Sequence, residues 1–123
     1  MPEVTFLFQD MVDLTFPNGP FDDICSYYAI IHVLREKHPA LLKSFHTMLK
    51  TDGSELLCMG TGDLPVNVNV DWLGAPMYWS HYDAETNLEM IQECRFSVLS
   101  SELVSDNFTK PTATPFFVLG KKR

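Results

Sequence analysis

Two hydrophobic periods divide the chain. Val4-Thr5-Phe6-Leu7-Phe8 is a short apolar run rich in β-formers, closed by Gln9-Asp10. A run without a polar face suits a strand covered on both sides, as in a parallel sheet packed with helices. Pro17-Asn18-Gly19-Pro20 is a concentrated turn signal, and Ile24-Cys25-Ser26-Tyr27-Tyr28-Ala29-Ile30-Ile31 follows as a second, longer strand. From about Glu36 to Lys50 the period changes. Leu41, Leu42, Phe45, Met48 and Leu49 fall at i, i+1, i+4, i+7 and i+8, one face of an amphipathic helix. Pro39 is compatible only with that helix's first turn, and Gly53 is placed to supply a left-handed stop. Leu56-Leu57-Cys58-Met59 reads as a third strand, ending at Gly60-Thr61-Gly62-Asp63.

Leu64 to Tyr82 shows little periodicity but holds Trp72, Tyr78, Trp79, His81 and Tyr82. Asp83 suits the N-cap of a second helix, in which Ala84, Asn87/Leu88, Ile91 and Cys94 keep helical spacing. Val98 to Val104 and Phe116 to Leu119 are two final strands, joined by the polar Ser105–Pro115 segment. The order β, β, α, β, α, β, β predicts one α/β domain over residues 1–123, with about five strands and two main helices. No internal repeat, low-complexity tract or linker divides it.

Composition alters this picture little. With 123 residues, 46% hydrophobic and 20% charged, the chain has room for one core and is not a disordered sequence. The formal charge of −7 argues against a nucleic-acid partner, because binding phosphates needs Lys/Arg clusters and only Lys121-Lys122-Arg123 forms one. That triplet reads as a solvated terminus. No apolar run approaches the roughly 20 residues that span a bilayer. Met1-Pro2-Glu3 opens with neither the basic nor the apolar part of a secretory signal, so a cytoplasmic protein is expected. Cys25, Cys58 and Cys94, odd in number and widely spaced, then read as buried, reduced thiols. No metal site is expected. His38 and His46 stand eight residues apart on the helix, a rise of roughly 12 Å, too far to share one ion. A Gly-x-Ser-x-Gly elbow of a serine hydrolase is absent, and Asp22 and Asp23 read as a solvated turn.

Several phrases, taken in order, resemble class I S-adenosylmethionine-dependent methyltransferases, particularly those that modify small molecules. Phe8-Gln9-Asp10-Met11, then Leu14, Phe16-Pro17-Asn18-Gly19 and Phe21-Asp22 resemble that family's third strand, its acidic end and the turn into strand four. Ser26-Tyr27-Tyr28-Ala29-Ile30-Ile31-His32-Val33 resembles the motif after strand four, and Leu49-Lys50-Thr51-Asp52-Gly53 with Leu56-Leu57 resembles the turn into strand five. The resemblance implies a partial Rossmann-like sheet with an antiparallel last strand, drawn from the family order 3-2-1-4-5-7-6, and S-adenosylmethionine as cofactor. The family grips that cofactor with a Gly-rich loop after strand one and an acidic residue after strand two. Neither has a counterpart here, since Gly60-Thr61-Gly62-Asp63 follows a later strand and reads as a tight turn. The chain thus resembles a truncated C-terminal half that lacks the N-terminal cofactor-binding half. Arg95 stands where the family commonly has Gly; a left-handed backbone there would cost Arg on the order of 1 kcal/mol.

The resemblance also implies roles for individual residues. Asp10 would accept a hydrogen bond from the adenine amino group, the Met11 backbone N–H would reach a ring nitrogen, and Tyr27 would contact the cofactor. Read without the resemblance, Asp10 equally ends a strand or starts a turn. His32 is the catalytic candidate, closing the second strand at the C-terminal edge, where ligands bind in open α/β sheets. A histidine there either accepts a proton or orients a substrate, or is merely hydrogen-bonded at a strand end. Trp72, Trp79 and His81, with Tyr78 and Tyr82, form either a lid over a small-molecule substrate or rings that finish the core.

Three functional readings follow. The domain takes part in S-adenosylmethionine-dependent methylation of a small molecule and is inactive alone; or it is a catalytically silent interaction module; or it binds another small ligand. Taking two strands out of the implied sheet leaves Val4–Phe8 without neighbours and Ile24–Ile31 with a bare edge. The expected partner is therefore a second copy in a homodimer, or a complementing N-terminal half.

Overall fold

A computed structural model describes residues 4, 6–14, 16, 19–103 and 116–123. In chain order they form β1 (Phe21–Ser26), α1 (His38–Met48), β2 (Leu49–Met59), β3 (Leu64–Trp72), β4 (Ala75–His81), α2 (Ala84–Glu93), β5 (Phe96–Leu103) and β6 (Phe116–Lys122). Short 3-10 turns lie at Met11–Asp13, Ile30–His32 and Arg35–Lys37. Four strands make one sheet in the order β1-β2-β6-β5, while β3 and β4 form a separate hairpin. β1 runs parallel to β2, and β6 is antiparallel to both β2 and β5. This is the order that strands four, five, seven and six of the implied family sheet take, antiparallel last strand included.

The core lies where α1 and α2 cover the sheet. Pro39 sits in the first turn of α1, where its missing N–H removes no intrahelical bond. Leu41, Leu42, Phe45, Met48 and Leu49 are all buried, as their spacing predicts. Each such side chain contributes roughly 1.5–3 kcal/mol through burial. Asp83 caps α2 by accepting the Thr86 N–H at 2.8 Å, and the bonds from Thr86 hold its carboxyl below the usual range. Met90, Ile91 and Cys94 extend the same core. One polar group breaks this layer. Glu55, on the central strand β2, is 1% exposed, and neither carboxylate oxygen has a hydrogen-bond partner. Its cross-strand neighbour is Gly120, where an added Cβ would stand 3.5 Å from Glu55 Cγ. Burial pushes the Glu55 carboxyl up to about 8.

The structure departs from the sequence pattern in several places. Val4 and Phe6–Phe8 form no strand; Phe6 and Phe8 are 87% and 106% exposed. A ladder needs a neighbour, and among the described residues only β2 flanks β1. The strand expected over Ile24–Ile31 begins earlier and stops at Ser26, because Tyr28 has φ 52°, a left-handed conformation outside any ladder. Asp22 and Asp23 lie in β1 rather than in a turn. Gly53 is not the left-handed stop for α1: Leu49 turns directly into extended backbone, and the positive φ, 65°, falls on Asp52. Gly53 serves close approach instead, since a Cβ there would meet the Lys50 and Asp22 carbonyl oxygens at 2.8 and 2.9 Å.

Residues 64–82 contain a hairpin that was not expected. Val66-Asn67-Val68-Asn69-Val70-Asp71 alternates with period two, and Leu73 and Gly74, with φ 50° and 89°, make the turn. Its valines are exposed, so the alternation does not mark a core-facing side. Cys25 is exposed, unlike Cys58 and Cys94, because it alternates with Ile24 and Ser26, which take the covered face of β1. Lys121 and Lys122 belong to β6 instead of a solvated tail, and Lys122 Nζ donates to the Leu49 carbonyl at 2.7 Å. Arg95 is left-handed at φ 72°. Pro17-Asn18, the Ser105–Pro115 connection and Met1-Pro2-Glu3 lie outside the described residues.

Candidate functional site

Parallel β1 and β2 end together at Ser26 and Leu57–Met59, and the chain leaving β1 crosses this C-terminal edge toward the hairpin. His32 closes the 3-10 turn held from below by fully buried Ile30. Its Nδ1 lies 2.9 Å from the Tyr78 carbonyl oxygen on β4. A carbonyl only accepts, so this bond places a proton on Nδ1, and in the neutral ring the lone pair is then on Nε2. The imidazole also stands 5.5 Å from the Trp79 ring.

Arg35, one turn on, ties the same two elements together. Its backbone N–H donates to Ser80 Oγ at 2.9 Å, and that hydroxyl donates in turn to the Pro65 carbonyl on β3. The guanidinium lies 4.6 Å over the Tyr82 ring, pairs with Asp63 and reaches the His81 carbonyl at 3.5 Å. Stacking and a carboxylate together fix a flat cation more firmly than either alone. Below this, Asn87 Nδ2 donates to the Gly60 and Tyr82 carbonyls at 2.8 and 3.1 Å. Gly60 passes so close to the His81 ring that any side chain there would overlap it. His38 is fully buried; its Nε2 donates to the Val33 carbonyl at 2.7 Å, and desolvation, the chief cause, lowers its pKa.

The expected site residues are therefore distributed unevenly. His32 and Trp79 meet at the rim. His81 joins them in the fold but is buried against Gly60, with Nδ1 3.3 Å from the Tyr82 carbonyl oxygen. Trp72 pairs with Ala75 beside the hairpin turn, at the opposite end of the hairpin from His81. Asp10 is exposed and accepts the Val12 N–H at 3.1 Å, capping the turn Met11–Asp13, while half-buried Met11 packs on the core. Tyr27 is exposed, its ring edge-on to Phe117 at 5.8 Å. Arg35, Ser80 and Asp63 carry no advance signal as a group, because their partners lie 15 to 46 residues away.

Other surface features do not compete with this rim. A depression lined by Glu89, Gln92, Phe96, Ser97, Val98 and Arg123 is broad and lies toward the opposite edge of the sheet. Among the described residues no group of three His, Cys, Asp or Glu side chains could hold a metal ion, and no helix is long and apolar enough to cross a membrane.

No family model and no curated protein matches the sequence. Solved structures do match the fold. An S-adenosylmethionine-dependent methyltransferase from Methanosarcina mazei superposes with a TM-score of 0.76 at 12% identity, over 93% of this chain and 65% of that one. The 1,6-didemethyltoxoflavin-N1-methyltransferase of Burkholderia thailandensis, solved with 1,6-didemethyltoxoflavin and S-adenosylhomocysteine bound, gives 0.68 at 15% identity, over 91% and 48%. The magnesium protoporphyrin IX methyltransferase of Synechocystis, solved with S-adenosylmethionine, gives 0.65 at 15%, over 97% and 46%. This chain thus has the fold of the C-terminal part of class I methyltransferases, and spans between about half and two thirds of their length.

Proposed function

We propose that the domain supplies the acceptor side of S-adenosylmethionine-dependent methylation of a small molecule and is catalytically silent alone. The observation that carries this reading is His32. Its Nδ1 is engaged by the Tyr78 carbonyl, which leaves Nε2 as the free nitrogen; its ring stands 5.5 Å from that of Trp79, and it sits at the sheet edge where ligands bind in open α/β folds. From there Nε2 would accept the proton that an N–H or O–H acceptor releases as it becomes a nucleophile. Trp79 would give a flat acceptor an apolar wall, and the Arg35–Ser80 link would hold that wall at a fixed distance from His32.

The residues present fit only one end of the cofactor. Exposed Asp10 has a carboxylate oxygen to spare for an exocyclic amine, but among the described residues no Gly-rich loop or second carboxylate is placed for the ribose and amino-acid parts. No step through the cofactor is therefore assigned to this chain. Losing several hydrogen bonds of roughly 1–3 kcal/mol each weakens binding by orders of magnitude. Calorimetry of the purified chain with S-adenosylmethionine and S-adenosylhomocysteine should show no micromolar binding, and methyl transfer should be absent. Micromolar binding by the purified chain would overturn the incomplete grip, and methyl transfer would overturn silence. Weak binding that Asp10→Ala removes without changing the fold would support the adenine assignment.

A further inference from the structure

We propose that two copies of this chain exchange their N-terminal arms, the segment around Phe6–Phe8 of each lying along the bare β1 edge of the other. β1 is hydrogen-bonded only to β2, so among the described residues its outer N–H and C=O groups face no strand. Such an edge is a template for an added strand. The charges that commonly protect an edge are engaged toward β2: Asp22 pairs with Lys50 at 3.5 Å, and Asp23 accepts the Ser54 hydroxyl at 2.6 Å. Ile24, Cys25 and Ser26 beyond them are uncharged.

The same chain carries a matching strand. Val4, Phe6, Leu7 and Phe8 are uncharged, rich in β-formers and exposed. The root of the arm is fixed, because Met11, Leu14 and Phe16 pack on the core and the Phe16 ring meets Phe21 at 4.9 Å. An arm anchored this way loses less freedom on docking than a free peptide. Area selects the occupant. At about 200 Å² for each phenylalanine, the two rings and their aliphatic neighbours offer on the order of 500 Å² per arm. Two arms and the two surfaces they cover reach about 2,000 Å², the scale of a stable dimer. One arm docked alone would reach only half of that. Two-fold closure satisfies both edges at once and leaves no further edge to propagate a chain of copies.

Light scattering on the purified chain over a concentration series should show a mass rising to twice that of the monomer. Phe6→Asp with Phe8→Asp should return it to monomer while thermal melting of the monomer stays unchanged, since neither ring touches the core. Cys25 reports the acceptor side directly: it is the exposed thiol on β1, with Cys58 and Cys94 buried. Its alkylation should slow several-fold as concentration rises, and recover in the double variant. A monomer at every concentration overturns the proposal and leaves the edge to a different polypeptide. A dimer in which Cys25 stays reactive, or which survives the double substitution, places the interface elsewhere and overturns it too. A dimer that binds no S-adenosylmethionine satisfies it, because the inference is independent of the methyl-transfer reading.

Discussion

At the rim, His32 and Arg35 bond across to the hairpin, Ser80 also ties the hairpin's two strands together, and Asn87 donates to two carbonyls beneath them, though its Oδ1 has no partner. Under α1 and α2 the opposite holds: Glu55 is buried and neither of its oxygens has a partner. The directional bonds of the half-exposed His32 and Arg35 can be remade around a ligand, because water or substrate replaces the lost partner. An orphan carboxyl inside an apolar layer has no such replacement and must stay neutral. The two regions thus suit different work. The core fixes the sheet, and the rim holds the turn of His32 against the hairpin.

The largest test of the comparison is Phe45→Ala. Phe45 is 5% exposed in the middle of the α1 stripe, and its removal should cost roughly 3–5 kcal/mol. Urea denaturation reads this directly. A loss below about 1 kcal/mol, the level of a surface site, would mean that the layer under α1 does not carry the stability.

Glu55 gives the next effect. Its folded carboxyl is raised from 4.5 to about 8, so the folded protein keeps a proton that the unfolded chain has released. Stability from this group is fully present below the unfolded value and is lost as pH rises toward the folded one. His38 runs the other way: it is lowered from 6.5 and removes stability as pH falls below that value. Between pH 6.5 and about 8 the Glu55 trend therefore acts without the opposing one. Over that window stability should fall by roughly 1.5 kcal/mol. Glu55→Gln should flatten the profile and raise the urea midpoint at its alkaline end. A flat profile in the parent protein would show that the carboxyl has found a partner.

What the sequence revealed follows the same division. α1 was legible because helical burial is a local rhythm, written in Leu41, Leu42, Phe45 and Met48. Asp83 was legible because a cap needs only the next few residues. The hairpin was not, since the valines of β3 are exposed and an alternation without a buried side looks like a loop. The arm misled for a related reason: its apolar residues demand cover, but composition does not say that the cover lies within the chain. At the rim the residue type of His32 was visible, whereas the Arg35–Ser80 bond spans 45 residues and has no local signature. The strand order followed from family resemblance, not from periodicity.

Ser80→Ala probes the rim. It removes two hydrogen bonds, yet both lost partners are near enough to solvent to be rehydrated, so the global cost should be about 1 kcal/mol. The local effect should be larger. Trp72 and Trp79 are the chain's two tryptophans and both stand on the hairpin, so tryptophan emission reports that element alone. The emission should shift toward that of solvated indole while the urea midpoint moves little. Unchanged emission with a large fall in stability would make Ser80 part of the core and erase the distinction between the two regions.

The smallest expected effect lies at the turn from α2 into β5. Arg95 is exposed and adopts φ 72°, a conformation in which its Cβ crowds the backbone at roughly 1 kcal/mol. Its backbone is fully used, the N–H donating to the Gln92 carbonyl at 3.0 Å and the carbonyl accepting the Arg123 N–H at 2.9 Å. Glycine keeps both bonds and removes the crowding, but it also loosens the unfolded chain, which takes back part of the gain. Arg95→Gly should therefore stabilise by a few tenths of a kcal/mol, up to about 1. Arg95→Ala separates the causes, because it deletes the charge and keeps the Cβ. If the backbone is the source of strain, alanine gives no gain and glycine does. Equal gains from both would assign the effect to the guanidinium instead, and the turn would then be relaxed as it stands.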